Sequence, residues 1–420
     1  MEKFCSRNIK LSIFLDKYLI SISLFLYTFC LISNISNAIK NISLGLCILF
    51  LIVCFIINKN YYISNIIKNL KNNKLILFLC IFFLVYAFIV SCFPYLDNYN
   101  SSLKFLKELK RPILFIIIVI FWFDDDENKK NILYVSLLFT FLSVMINYCG
   151  LFLNSKLSVD INFAKYFDIL FPFLLISFFI FKHKILKIFF VFIMLFNLFM
   201  LILTGARGSW LVCIVSVAIL ISILFLKDRR YIKYIINNKF KFLFIISLFC
   251  MMSFFAFLNS QIAQTKISQG FNSSGRDIIL NARLPIFINS NRVIFGLGYG
   301  NFQYEEFLLN NRTQEHIKHP YSLGPYILEK DGRIKYLHDE PTFLAQFYHY
   351  GIGVLIFMSL VLVMLYKSFV SFIKKDDFLS LALFLSIFET YIIRGLFEDM
   401  GIALAFLYVG FYIVFYRRCE

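Results

Sequence analysis

The chain reads as an all-α integral membrane protein, and three observations predict it. Its 420 residues are 60% hydrophobic and 19% aromatic with only 16% charged, too little polar surface to cover a soluble globule of that size. The apolar residues fall in long continuous runs, and of the structures that satisfy their backbone inside a bilayer only helices use such runs. Short basic segments separate the runs, which is how a membrane protein sets its orientation.

Taking about 20 apolar residues as one crossing gives about twelve transmembrane helices. The first four lie near Tyr18 to Ser33, Ile42 to Ile57, Leu75 to Phe93 and Pro112 to Phe123. The first run has charged and bulky neighbours and no small-residue cleavage site, so it is read as a retained helix rather than a signal peptide. The next four lie near Ile132 to Leu153, Phe163 to Phe181, Ile185 to Leu203 and Ser209 to Leu226. A ninth, near Phe240 to Leu258, precedes one large hydrophilic loop, and three more follow near Thr342 to Tyr366, Phe378 to Ile393 and Ile402 to Tyr416. The chain thus divides into an N-terminal bundle over residues 1–258, the loop over 259–337 and C-terminal helices over 338–420. Gly, Asn and Ser punctuate the loop, and amphipathic stretches such as Asp277 to Ile288 suit short helices lying over a membrane surface.

With twelve crossings, the basic segments Asn58 to Lys74, Lys182 to Lys187, Lys227 to Lys241, Lys367 to Lys375 and Arg417 to Arg418 share one side. The excess of lysine and arginine makes that side cytoplasmic. Both termini are then cytoplasmic, and Thr204 to Gly208 and the large loop face outward. Lys104, Lys107, Lys110 and Arg111 run against this pattern as an outward cluster beside Glu108, which suits the holding of an anion. The net charge of +17 sits mostly in these connections, so no nucleic-acid partner is expected. Of the ten cysteines none lies in the large loop, which argues against a disulfide framework.

Three motifs could carry chemistry. Thr204-Gly205-Ala206-Arg207-Gly208-Ser209-Trp210 is a small-residue turn with an arginine at its tip. An arginine at the hydrocarbon edge needs a partner or a wet cavity. It either snorkels to the interface or, with glycines allowing close approach, presents a planar fork to phosphate. Ser274-Gly275-Arg276-Asp277 is followed by Arg283, Arg292 and the run Phe295 to Phe302, in which three glycines alternate. The run is a turn on its own, and with Arg207 its neighbouring arginines could form an electropositive outward pocket. Tyr336 to Leu344 brings His338, Asp339 and Glu340 to the point where the loop re-enters the membrane. His338 could act as general base with a carboxylate stabilising its imidazolium, or Asp339 or Thr342 could simply cap the next helix.

Weaker signals fall away. Glu315, His316 and His319 have helix-compatible spacing for a metal, but Pro320 follows at once and no third strong ligand is fixed. The acidic run Asp124 to Glu127 is read as a solvated cytoplasmic helix end. Arg394, Glu398 and Asp399 lie outward between the last two helices and could pair with one another or with loop arginines. There is no P-loop, serine-hydrolase elbow or zinc-protease helix.

On these residues the chain resembles the O-antigen ligase and polymerase superfamily. Asn162-Phe163-Ala164 looks like the pattern opening a family helix, Thr204 to Trp210 like its arginine turn, and Ser274-Gly275-Arg276 with Phe295 to Phe302 like its loop signature. The family histidine stands about eleven residues before a glycine that here is Gly351, which lands on Glu340, two residues after His338. The resemblance implies a metal-independent, cofactor-free inverting glycosyltransferase of the bacterial inner membrane. Its donor would be an undecaprenyl-diphosphate-linked glycan and its acceptor lipid A-core, or a growing glycan in the polymerase form. It implies Arg207 and Arg276, with Arg283 and Arg292 nearby, at the donor diphosphate, and His338 as base with Glu340 as its rival. A lipid-linked oligosaccharide flippase is the reading from another class, and it would line a path through the helices with polar groups.

Overall fold

The computed structural model describes residues 14–32, 37–96, 101–153, 161–204, 206–227, scattered positions between 233 and 268, 276–328, 334–336 and 340–416. These residues form a mostly helical membrane protein. Among them, six helices are long and apolar enough to cross a bilayer, including Asn37–Ile57, Lys74–Cys92 and Arg207–Lys227.

After a π-helical turn Leu15–Ile20, the helices are α1 (Ser21–Ile32), α2 (Asn37–Ile57), α3 (Lys59–Asn72), α4 (Lys74–Cys92), α5 (Ser101–Trp122), α6 (Glu127–Leu153), α7 (Ile161–Ile180), α8 (Lys184–Leu203) and α9 (Arg207–Lys227). The ninth expected crossing, Phe240 to Leu258, falls largely outside the described residues. The loop supplies α10 (Arg276–Ile288), α11 (Asn301–Asn310), α12 (Gln314–Lys318), a 3-10 turn Pro320–Leu323 and two short strands, β1 (Tyr326–Leu328) and β2 (Ile334–Tyr336). The chain ends in α13 (Thr342–Tyr350), α14 (Val354–Lys375), α15 (Phe378–Ile387) and α16 (Ile402–Phe415). Between the last two lie a π turn Phe388–Ile393 and a 3-10 turn Arg394–Leu396.

Three elements depart from the sequence reading. The loop is not wholly helical, since β1 and β2 pair antiparallel with Tyr326 opposite Tyr336. The fourth helix begins eleven residues earlier than Pro112, at Ser101, because charged Lys104 to Arg111 form helix as readily as apolar residues do once outside lipid. The tenth is broken: α13 ends at Gly351, whose φ is +54°, and a 3-10 turn Gly351–Gly353 precedes α14.

That break is stapled by the glycine run. The last carbonyls of a helix lack intrahelical donors, and Leu297 N–H donates to the Tyr348 carbonyl at 2.9 Å while Gly298 N–H donates to that of His349 at 3.0 Å. Ile352 N–H in turn donates to Ile294 O at 3.2 Å. Gly296 has φ +78°, and a Cβ there would stand 2.3 Å from the His349 carbonyl oxygen. Gly296→Ala is therefore expected to undock the loop, with left-handed strain of about 1–2 kcal/mol added to a backbone clash. Faster protease cleavage of the loop in the variant is the check, and wild-type resistance would refute it.

The bundle core is aromatic and closely packed. Phe83 of α4 meets Tyr350, Phe357 and Phe406 at ring separations of 5.4, 5.4 and 6.3 Å. Gly410 of α16 receives the Phe115 ring, with a Cβ position 2.5 Å from it, the small-residue contact that lets membrane helices approach closely. At one end, Asn69 of α3 donates to the carbonyls of Ile120 and Phe123 at 2.9 and 2.6 Å, closing the C-terminus of α5. At the other end the loop is tied down, with Tyr95 N–H donating to Leu297 O at 2.9 Å and Ser101 Oγ to Tyr299 O at 2.7 Å.

Candidate functional site

The loop end of the bundle gathers the motifs. Arg207 is the first residue of α9, half-buried, and the next residue, Gly208, lies against Arg394: a Cβ there would stand 2.7 Å from Nη1. Arg394 is only 1% exposed. Its Nη1 donates to Ser209 Oγ at 2.8 Å, its Nη2 to Glu398 Oε1 at 2.8 Å, and its Nε lies 3.6 Å from Asp168 Oδ2. Ser209 Oγ also donates to Asp168 at 2.6 Å, and Lys165 lies 3.4 Å from Glu398. The Arg394–Glu398 pairing is one the sequence suggested. Asp168 was passed over, although an acidic residue inside the apolar run Phe163 to Phe181 is itself a signal, since such groups are costly in a membrane unless they are used.

From Glu398 the hydrogen bonds continue into the re-entry segment. Thr342 Oγ1 donates to Glu398 O at 2.8 Å and accepts from Met400 N–H at 3.0 Å, while Gln346 Nε2 donates to Asp399 Oδ1 at 3.0 Å. Gly395 leaves room for Thr342, whose Oγ1 would stand 3.1 Å from a Cβ there. Burial pushes the Asp399 carboxyl up, although the Gly401 N–H, His349 and Gln346 each pull it back. Burial also works against the Glu398 carboxylate, but Arg394 and Lys165 outweigh it and hold that group below its usual range. His349 sits within the same array, its Nδ1 3.1 Å from Gly298 O and its ring 6.1 Å from that of Tyr299. Donation to a carbonyl places the proton on Nδ1 and leaves Nε2 as the basic nitrogen. Sequence reasoning missed His349 because it looks like one more residue of an apolar helix.

Tyr299 hands the array on to a basin, donating its hydroxyl to Glu108. The basin holds about 660 Å³ and is lined by Lys104, Lys107 and Glu108 of α5, by Lys335 of β2, and by Gly300, Asn301 and Glu305 at the start of α11, three lysines against two carboxylates. Gly300 has φ +112° and no side chain to cap α11, and the N-terminus of that helix borders the basin beside the lysines. Lysines and a helix N-terminus together favour an anion. The basic cluster Lys104 to Arg111 thus splits: Lys104 and Lys107 line the basin, whereas Arg111 donates to Asn41 and Asn37 of α2, each at 3.0 Å.

Other expected site residues take different places. Arg283 and Glu340, expected at the donor and as a rival base, are 0% and 1% exposed and pair with each other, Nη1 to Oε1 at 2.5 Å. Arg283 Nε donates to Leu323 O at 2.6 Å, Tyr304 OH donates to Glu340 at 2.7 Å, and the guanidinium lies over the Tyr336 ring at 5.4 Å. Burial alone would lower the Arg283 pKa, but Tyr304 and Glu340 raise it, so the cation is held firmly. These two charges knit the loop core of Phe287, Leu297, Phe307 and Tyr348 to the re-entry point. Arg292 donates to Phe93 O at 3.3 Å and stacks near Tyr95, tying the loop to the end of α4. His338, Ser274 and Gly275 lie outside the described residues, as do the side chains of Arg276 and Asn162. Among the described residues no group of three His, Cys, Asp or Glu side chains could hold a metal. His316 instead closes a capping box with Thr313 at the start of α12.

No family model, no curated protein and no solved structure matches the chain.

Proposed function

We propose that the chain is a twelve-crossing glycosyltransferase of the bacterial inner membrane, moving a glycan from a polyprenyl-diphosphate donor to an acceptor hydroxyl at its outward face. One observation carries this reading: the arginine turn, the broken re-entry helix and the glycine run, far apart in sequence, are brought by neighbouring hydrogen-bonded groups to one end of the bundle, beside a basin lined by three lysines and two carboxylates. Transfer from such a donor builds negative charge on the leaving diphosphate, and fixed cations and N–H dipoles in a water-poor site stabilise that charge without reorganising. Arg207 and Arg276 take the donor diphosphate in this reading, and Arg394 holds the Arg207 turn in place through Gly208 and Ser209. The lysine basin receives a second anionic group, such as the acidic headgroup of a lipid A-core acceptor. Glu340 is spoken for by Arg283 and Tyr304, which leaves His338 as the base that deprotonates the acceptor hydroxyl, with His349 as the described alternative. A single displacement of this kind inverts the anomeric centre. A ligase and a polymerase would share the donor site and differ in what fills the basin.

Reconstitution in proteoliposomes with an undecaprenyl-diphosphate glycan tests the reading. Expected are product on lipid A-core or on glycan acceptor, stoichiometric release of the diphosphate lipid, and undiminished turnover in EDTA. Donor translocated across the bilayer with no bond cleaved would assign a flippase instead. Loss of turnover in EDTA that added divalent metal restores would overturn the metal-free chemistry.

A further inference from the structure

At the opposite end of the bundle, about 33 Å away along α5 at 1.5 Å per residue, a cavity of about 820 Å³ opens between the Leu15–Ile20 turn, the α2–α3 junction and the start of α6. Its polar wall carries Asp16, Asp124 and Asp126. Tyr62 OH donates to Asp16 at 3.1 Å and Tyr61 OH to Asp124, with the two rings edge to face at 5.1 Å. Lys129 is fully committed: its Nζ lies 2.7 Å from Asp16 and 3.2 Å from Asp124, and donates to Trp122 O at 2.8 Å, which accounts for all three ammonium hydrogens. The other lysine, Lys17, is exposed and lies 5.7 Å from the centre of the Tyr18 ring. Three carboxylates against two ammoniums leave one negative charge in surplus.

The opposing wall is apolar, built from Ile22, Phe25, Ile132 and Val135. Tyr18 and Ile22 are 48% and 53% exposed. Carboxylates beside aromatic rings select an ammonium group, the surplus charge calls for one such cation, and an apolar wall that runs out to the exposed Ile22 suits acyl chains. A primary ammonium suits these acceptors better than a choline, which has no N–H to donate.

We propose that this cavity binds an aminophospholipid of the phosphatidylethanolamine type, its ammonium at Asp124 and Asp126, its phosphate facing Lys17 and its chains along Ile22, Phe25 and Ile132. This site is independent of the transfer chemistry at the other end. Thermal unfolding of the purified full chain, titrated with lipids in detergent, tests it. Phosphatidylethanolamine is expected to raise Tm saturably through binding to the folded state, and phosphatidylcholine, phosphatidylglycerol and soluble phosphoethanolamine to raise it far less. Ile132→Trp, which fills the apolar side, and Asp126→Asn are each expected to abolish the response. An equal shift with phosphatidylcholine or phosphatidylglycerol, a shift with the soluble headgroup alone, or a full response in Ile132→Trp would overturn the site.

Discussion

Arg283→Met is expected to unfold the loop end of the protein, and adding Glu340→Leu and Tyr304→Phe to restore most of what is lost. Removing one partner of a buried ion pair strands the other charge and costs about 3–5 kcal/mol, while replacing the whole group by apolar side chains of similar volume is often near neutral. Tyr304 belongs in the replacement because its hydroxyl also rests on Glu340 at 2.7 Å. Left buried without an acceptor it would cost about 1–3 kcal/mol. Protease resistance of the loop and thermal unfolding read the effect. If the single variant is as stable as wild type, the pair is not what joins the loop to the re-entry point. If the triple variant keeps wild-type transfer activity, Arg283 and Glu340 act as scaffold alone.

The largest effect on turnover is expected at Arg207 and His338. Arg207→Ala should lower transfer by about a hundredfold to a thousandfold, the usual cost of losing one preorganised stabiliser of developing charge. Arg207→Lys should rescue little, because an ammonium cannot reproduce the two-pronged phosphate contact. His338→Ala should cost about a hundredfold to ten-thousandfold, as loss of a general base does. His349→Gln, whose side-chain amide can still donate to Gly298 O, should cost far less. Rates at matched membrane abundance decide among them. The reverse order of the two histidine variants moves the base to His349, and full activity in Arg207→Ala removes it from the donor site.

Much of the helical layout was legible because hydrophobic run length and basic punctuation are local signals. The starts of α14 and α5 were not: one depends on Gly351 meeting the Ile294 carbonyl at 2.3 Å from its would-be Cβ, a contact across 57 residues of chain. The other is a helix that continues outside lipid, where hydropathy is silent. Composition likewise gave no sign that Arg283 and Glu340 would choose each other, because the choice is made by the fold of the loop around Tyr304 and Tyr336. Arg394 with Glu398 was readable from their helical spacing of four, whereas Asp168 and Ser209 join them only through tertiary packing.

Arg394 also bears on how the chain is made. The segment Phe378–Leu396 carries Glu389, 0% exposed, and Arg394 into a region that is 78% buried within the protein. An arginine at the centre of an isolated helix opposes membrane insertion by about 2.5–3.5 kcal/mol, and one near the end, where Arg394 stands, by less. The partners that offset this, Asp168 and Ser209, belong to helices translated some two hundred residues earlier, so they are already in place when the segment leaves the ribosome. In that order of synthesis the late helix meets a socket whose Asp168 and Ser209 were made before it.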